Sequence, residues 1–154
     1  LVAALGHVRH KRLRAVIIGD GPERINLVRQ IKEAGLEKRV SLLGAADEET
    51  VLRHYGRCLA VFFCPQQEDY GLVTVEAFAS RKAVITASDS GGPVELVREG
   101  ETGFVVEPNP VAVADRIDQL ASSPRLAEEM GKKAFQAVSG MTWEKAVRRL
   151  LLAG

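Results

Sequence analysis

The residues best suited to chemistry surround a predicted helix start in the segment 64–77. The backbone amides of Gly71, Leu72 and Val73 would point out of the helix N-terminus, where a phosphate group binds readily. Glu76 lies about one turn inside that helix, and its carboxylate can accept two hydrogen bonds from the vicinal hydroxyls of a ribose. Glu68 precedes the helix and can bind hydroxyls on the other side of such phosphates. These features favour a phosphorylated ligand that carries hydroxyl groups.

The same glutamates have a simpler interpretation, which their spacing leaves open. Glu76 would then only complement the helix dipole, for about 0.3–1 kcal/mol. Glu68 would be a charged side chain on a solvated loop.

Two glycine-rich turns raise the same question. Gly19-Asp20-Gly21-Pro22 lacks the third glycine of a dinucleotide fingerprint, because Arg24 stands at that position. Gly91-Gly92 precedes another short helix pattern. Each turn either needs glycine for a positive φ or brings backbone amides close to a ligand.

A parallel sheet is the element expected to position these residues. Five short apolar runs alternate with helical patterns, and the runs are nearly continuous, as in strands buried on both faces. This alternation predicts a doubly wound α/β fold, in which ligands bind outside the carboxyl ends of the strands. The predicted strands are Leu13–Ile18, Val40–Leu43, Leu59–Phe63, Ala83–Ala87 and Gly103–Val106.

Capping residues predict where the helices begin. Asp47, Asn109, Ser123 and Thr142 are each expected to cap a helix, and Pro follows both Asn109 and Ser123. Leu1–Val8 has the apolar spacing of the end of a helix. The other predicted helices are 22–34, 48–55, one that follows Gly71, and 93–98.

Composition excludes several function classes. The 154 residues carry 21 Lys and Arg against 20 Asp and Glu, a net charge of +1, which argues against a nucleic-acid partner. No apolar run is long enough for a transmembrane segment. Cys58 and Cys64 are too few for a disulfide scaffold or a four-ligand zinc site, and are expected to be reduced, buried packing residues. These features predict a cytoplasmic protein.

Taken in their order along the chain, these motifs resemble the C-terminal, donor-binding half of retaining GT-B glycosyltransferases of family 4 (glycosyl transferases group 1). That large family contains sucrose synthases and bacterial mannosyl- and glucosyltransferases. The resemblance runs from about Leu13 to Trp143 and includes a Glu-x7-Glu signature at Glu68 and Glu76. Gln66 departs from the usual Ser or Thr, and Arg81 from the usual Gly. The further matching residues are Pro65, Gly71, Ala77, Ala83-Val84-Ile85, Gly91-Gly92, Glu95, Gly100, Thr102-Gly103 and Pro108.

The resemblance implies that residues 1–154 form one Rossmann-like, nucleotide-sugar-binding domain of a hexosyltransferase. It implies that Glu68 is the catalytic residue and contacts the hydroxyls of the donor sugar, while Glu76 contacts the ribose. Such enzymes retain the anomeric configuration without a firmly established covalent nucleophile, and the donor phosphate is thought to help deprotonate the acceptor. The remaining donor-binding residues implied are Gly19, Gly44, Ala45, Tyr70, Gly71, Leu72 and Val73.

The resemblance also implies what this chain lacks. The acceptor, a glycan, lipid or small molecule, would bind an N-terminal domain that has no match here. Because there is no Asp-x-Asp motif and no Cys/His cluster, we expect neither a metal nor a further cofactor. The whole enzyme would be cytoplasmic, with peripheral association at the inner face of the membrane left open. The isolated chain is expected to have low stability and no transferase activity.

The related fold orders its strands 3-2-1-4-5-6, and its first strand, with a following Arg and Lys, has no match in this sequence. Leu13–Ile18 and Leu59–Phe63 would normally flank that strand. We expect them to pair directly, because each unpaired buried backbone group costs about 1–3 kcal/mol. The alternative is a gap between them.

Two other functions stay open on the residues alone. One is a sugar-nucleotide epimerase with the same two-domain plan, which needs carboxylates and a histidine placed for proton abstraction. The other is a receiver-like regulatory domain, for which Asp20 is the only candidate phosphorylation site at a strand end.

Overall fold

The computed structural model describes residues Leu1–Met141, which form twelve helices and strands in an α/β arrangement. The strands are β1 (Ala15–Ile18), β2 (Val40–Gly44), β3 (Ala60–Phe62), β4 (Ala83–Ala87) and β5 (Gly103–Val106). The helices are α1 (Val2–His7), α2 (Arg24–Glu33), α3 (Glu48–Arg57), α4 (Leu72–Ala79), α5 (Gly92–Leu96), α6 (Pro110–Ser122) and α7 (Pro124–Val138).

All strand pairs are parallel, and they form two separate sheets. β1 pairs with β2, and β4 lies between β3 and β5. All five residues of β4 are buried, as expected of a central strand with helices on both faces. The parallel α/β architecture that the sequence predicts is therefore confirmed.

The expected direct pairing of the first and third strands is wrong. Within residues 1–141, β1 and β3 belong to different sheets and no strand lies between them. No residue of β1 or β3 is fully buried. Because these two strands are only half-buried, their unpaired backbone groups do not incur the full burial penalty on which the expectation rested.

The core has two parts, on opposite faces of β4. Ile85 of β4 packs in one cluster with Val2 and Leu5 of α1 and Leu120 of α6. The neighbouring Val84 packs on the other face, in a cluster with Phe78 of α4 and with residues of α7. This alternation of neighbouring residues between the two faces is the period-two pattern of a strand covered on both sides.

Three of the four predicted helix caps are confirmed. The Asp47 side chain accepts a hydrogen bond from the amide of Thr50. In the same way, the Asn109 side chain accepts from the Ala112 amide, and the Ser123 side chain accepts from the Leu126 amide. Thr142 lies outside the described residues. The helix α2 begins at Arg24, two residues after the predicted Pro22, because residues 21–24 form a turn in which the Arg24 amide donates to the Gly21 carbonyl at 3.1 Å.

The turn after α1 is anchored to α6. Asp118 of α6 is 2% exposed and accepts hydrogen bonds from the backbone amides of Arg9 and His10. It also contacts Arg9 Nε at 3.1 Å and His10 Nδ1 at 2.7 Å. Burial alone would raise the pKa of this carboxyl, but these hydrogen bonds hold the pKa well below its usual value.

The two cysteines are free thiols, as predicted, but both are only partly buried where the sequence predicts burial. Burial raises the pKa of both thiols, and that of Cys64 to about 12. Both thiols therefore stay protonated at neutral pH, as expected of packing residues.

Candidate functional site

Glu68 lies in the loop between β3 and α4, and its side chain is directed to the N-terminal end of α4. Its Oε1 accepts a hydrogen bond from the amide of Gly71 at 3.3 Å. Gly71 is the N-cap of α4 and has a φ of +76°, a conformation that glycine adopts without strain. A half-buried carboxylate is therefore held beside the positive end of the helix dipole.

The first turn of α4 offers backbone donors next to exposed apolar surface. The amides of Leu72 and Val73 are in the first helical turn and have no acceptor within the helix. The side chains of Leu72 and Tyr70 are 63% and 56% exposed. This end of the helix can therefore bind an anion through its amides while a ring or chain of the same ligand covers the apolar side chains.

Glu76 is exposed one turn further along α4. Its Oε2 accepts a hydrogen bond from the phenol of Tyr55, on α3, at 3.1 Å. Tyr55 is 9% exposed, and its burial, together with the nearby Glu76 carboxylate, raises the pKa of the phenol well above its usual value. The carboxylate keeps oxygen lone pairs that face solvent and can accept from a ligand.

The Gly91-Gly92 turn packs against the loop that carries Glu68. The Gly92 amide donates to the Glu68 carbonyl at 2.7 Å, and the Glu68 amide donates to the Ser90 carbonyl at 3.1 Å. A Cβ on Gly92 would lie 2.5 Å from the carbonyl oxygen of Asp69. Gly91 has a φ of +76°, so of the two interpretations that the sequence leaves open the structure favours a turn that needs glycine, and the Gly92 amide is not available to a ligand.

A second group of predicted residues lies at the carboxyl ends of β1 and β2. The Gly19 amide donates to the Gly44 carbonyl at 2.8 Å, and both glycines have positive φ. Gly19 lines a cavity of about 370 Å³, which is also lined by Asp20, Pro22 and Arg24. A Cβ on Gly44 would lie 3.7 Å from Arg24 Nη1, so this cation borders the same turn. Ala45 is exposed next to it.

The structure thus brings the predicted residues together in two groups. Both groups follow strand ends, where doubly wound folds bind ligands. Glu68, Tyr70, Gly71, Leu72, Val73 and Glu76 form the group after β3, and Gly19, Gly44 and Ala45 form the group after β1 and β2.

Sequence reasoning missed two residues of these groups, Tyr55 and Arg24. Val51 and Tyr55 are spaced four residues apart on the inner face of α3. A tyrosine at an apolar helix position needs a partner for its hydroxyl, and this is the signal that points to it. For Arg24 the sequence pattern indicates only a departure from a glycine motif.

Neither a metal cluster nor a membrane span is found in the part of the chain that the structure describes. Residues 1–141 hold no group of three or more His, Cys, Asp or Glu side chains placed to ligate a metal. No helix in the same range is long and apolar enough to cross a membrane.

Comparison with known proteins identifies relatives of this chain. The family of glycosyl transferases group 1 matches residues 1–137. The chain is 31% identical over 105 residues to the alpha-1,3/1,6-mannosyltransferase ALG2 of Mus musculus, a match that covers 68% of this chain and 25% of that protein. It spans about a third or less of the length of the curated relatives it matches.

Two solved structures share the fold over nearly the whole chain. The crystal structure of Anabaena Alr3699/HepE in complex with UDP and glucose is 25% identical, with a TM-score of 0.85, over 99% of this chain and 42% of that one. The C-terminal domain of the glycosyl transferase group 1 family protein LpcC from Francisella tularensis is 28% identical, with a TM-score of 0.80. That match covers 90% of this chain and 75% of the LpcC chain. The predicted likeness to the C-terminal half of such enzymes is confirmed.

Proposed function

Since this chain belongs to the glycosyl transferases group 1, we propose that it is the donor-binding part of an enzyme that transfers a sugar from a nucleoside-diphosphate sugar to an acceptor. One observation carries the proposal. The N-terminus of α4 lies between two carboxylates, Glu68 before it and Glu76 one turn inside it. In a nucleoside-diphosphate sugar, the negatively charged diphosphate lies between the hydroxyl groups of the ribose and those of the sugar. The helix N-terminus lies in the same way between two carboxylates, each of which can accept from hydroxyl groups.

The diphosphate is assigned to the first turn of α4. The amides of Leu72 and Val73 donate to its oxygens, and each charge-assisted hydrogen bond contributes roughly 1.5–3 kcal/mol. The exposed side chains of Tyr70 and Leu72 flank the same position. The UDP complex of HepE, which shares the fold, supports a nucleotide of this class.

The two carboxylates are assigned to different parts of the donor. Glu76 accepts from the two ribose hydroxyls. Glu68 accepts from hydroxyls of the sugar, and its carboxylate, placed beside the reacting end of the donor, stabilises positive charge that develops on the sugar as its bond to phosphate breaks. Gly19, Gly44 and Ala45 are assigned to the base side of the nucleotide.

We infer a retaining, family 4 type of transfer. The donor phosphate accepts the proton of the acceptor hydroxyl, so that the protein supplies positioning and charge stabilisation rather than a covalent nucleophile. The acceptor is assigned to a part of the protein outside this chain. NMR of the first-formed product tests retention, since an inverted anomeric centre would contradict it.

Calorimetric titration tests the assignment of the two glutamates. We expect Glu76→Ala to weaken the binding of UDP, GDP or ADP about 10- to 150-fold, which corresponds to roughly 1.5–3 kcal/mol. Glu68→Ala is expected to weaken binding of the sugar nucleotide more than binding of the bare nucleoside diphosphate. Glu37→Ala, an exposed carboxylate between α2 and β2, is the matched control. Wild-type affinity for both ligands in both glutamate variants would refute the site.

We also propose that the transfer needs no metal ion. In the absence of a divalent cation, helix amides and basic side chains must balance the charge of the diphosphate. Transferase activity of the complete enzyme should therefore survive excess EDTA. Loss of activity in EDTA that Mg²⁺ restores would contradict this proposal.

A further inference from the structure

Tyr55 and Glu76 form a hydrogen bond between two neighbouring helices, at the edge of the candidate site. The Tyr55 ring is buried in the same cluster as Ala77 and Phe78, while its hydroxyl reaches Glu76 Oε2 at 3.1 Å. Glu76 itself is exposed. A buried, rigid donor therefore contacts a carboxylate that the solvent also reaches.

This contact restricts a side chain that otherwise has many conformations. An exposed glutamate loses much of its rotamer entropy when it is held in one orientation. The Tyr55 ring has two torsion angles, both limited by packing, so its hydroxyl occupies a defined position. A carboxylate that binds vicinal hydroxyls side by side must present its oxygens in one plane and direction.

The chemistry of the donor suits this role. A phenol with a raised pKa stays protonated at neutral pH and can donate to the Glu76 carboxylate there. One oxygen of Glu76 is thus engaged by the protein, and the remaining lone pairs are directed to solvent.

We propose that Tyr55 is a positioning residue, which orients the Glu76 carboxylate for the ribose hydroxyls of the donor nucleotide. This inference rests on the proposed function of Glu76. It differs from a purely structural role, in which the hydrogen bond would only hold α3 against α4. A structural role would affect every ligand of the site equally, whereas a positioning role affects only ligands that carry the ribose hydroxyls.

The test uses Tyr55→Phe, which keeps the buried ring and removes only the hydroxyl. Calorimetry measures its affinity for whichever of UDP, GDP and ADP the wild type binds most tightly, and for the 2′,3′-dideoxy form of that nucleotide. We expect about 3- to 10-fold weaker binding of the ribose nucleotide and unchanged binding of the dideoxy nucleotide. In a Glu76→Ala background, Tyr55→Phe should have no further effect on either ligand.

Each of the other possible outcomes contradicts either the positioning role of Tyr55 or the proposed function of Glu76. Wild-type affinity of Tyr55→Phe for the ribose nucleotide refutes the positioning role, and equal weakening of both nucleotides shows that the role is structural. If Glu76→Ala alone leaves the affinity for the ribose nucleotide unchanged, or if the wild type binds none of the three nucleotides, the proposed function of Glu76 fails and this inference fails with it. Thermal unfolding of all variants checks that the fold is preserved.

Discussion

Asp118 provides a sharp test of what holds the first ten residues to the rest of the fold. Replacing it by Asn keeps the size of the side chain but exchanges one acceptor oxygen for an amide donor. That amide would face the donors of Arg9 and His10, which in the wild type contact both carboxylate oxygens of Asp118. Removing one partner of a buried charged group typically costs about 3–5 kcal/mol.

We expect a cost of about 3 kcal/mol for Asp118→Asn, at the lower end of that range. The reason is that the Arg9 side chain is 77% exposed, so its ion pair contributes little, and most of the cost comes from the backbone amides and His10. For a domain of this size the midpoint of thermal unfolding should fall by about 6–12 °C.

The effect should depend on pH in one direction. Because the pKa of Asp118 is lowered in the folded protein, its stabilising contribution is complete above the unfolded value of about 3.9 and is lost as the pH falls below it. The difference in unfolding free energy between wild type and Asp118→Asn should therefore be constant from pH 7 to 5 and shrink towards pH 3.

Urea unfolding followed by circular dichroism at pH 7, 5 and 3 measures this difference. The matched control is Asp115→Asn, an exposed carboxylate on the same helix, which should stay within about 0.5 kcal/mol of the wild type. A similarly small loss for Asp118→Asn at pH 7, or a loss that does not change with pH, would refute the reasoning.

Two further substitutions test the backbone of the site and of a nearby turn. Gly92→Ala places a methyl group against the loop before α4, so we expect at least a tenfold loss of nucleotide affinity by calorimetry. Gly56→Ala is the control, because a Cβ at that position has no neighbouring atom within 4 Å, and it should bind nucleotide as the wild type does. Arg81 has a φ of +58°, a conformation that costs a non-glycine residue about 1–2 kcal/mol. Arg81→Gly should therefore unfold at a higher temperature than Arg81→Ala, because both variants lose the Arg81 side chain but only glycine relieves the backbone strain. Equal melting temperatures would contradict this account.

Features that depend on a few neighbouring residues could be predicted from the sequence. The bounds of β4 and β5 match the prediction to the residue, because these strands are continuous apolar runs. The caps at Asn109 and Ser123 depend on three or four consecutive residues, and they too are as predicted. The resemblance also pointed to Arg81 as an unusual residue where glycine is common, and its positive φ explains the preference at that turn.

Features that depend on distant residues could not be predicted in this way. The contact between Tyr55 and Glu76 joins two different helices. The contact between Asp118 and Arg9 joins residues that are 109 positions apart. Asp118 does carry one local signal, since it lies four residues after the buried Ala114 on the inner face of α6. The choice between a gap and direct pairing for β1 and β3 depended on how far water reaches them, which a sequence pattern does not contain.

The contact between α1 and α6 has a consequence for the order in which the chain folds during synthesis. Val2, Leu5 and Val8 are almost completely buried in the finished fold, and the cluster that covers them includes Leu120. At ribosomal rates of about 5–20 residues per second, that partner is made roughly 5–20 s after α1. During this interval the apolar face of α1 lacks its α6 cover and is open to non-native apolar contacts.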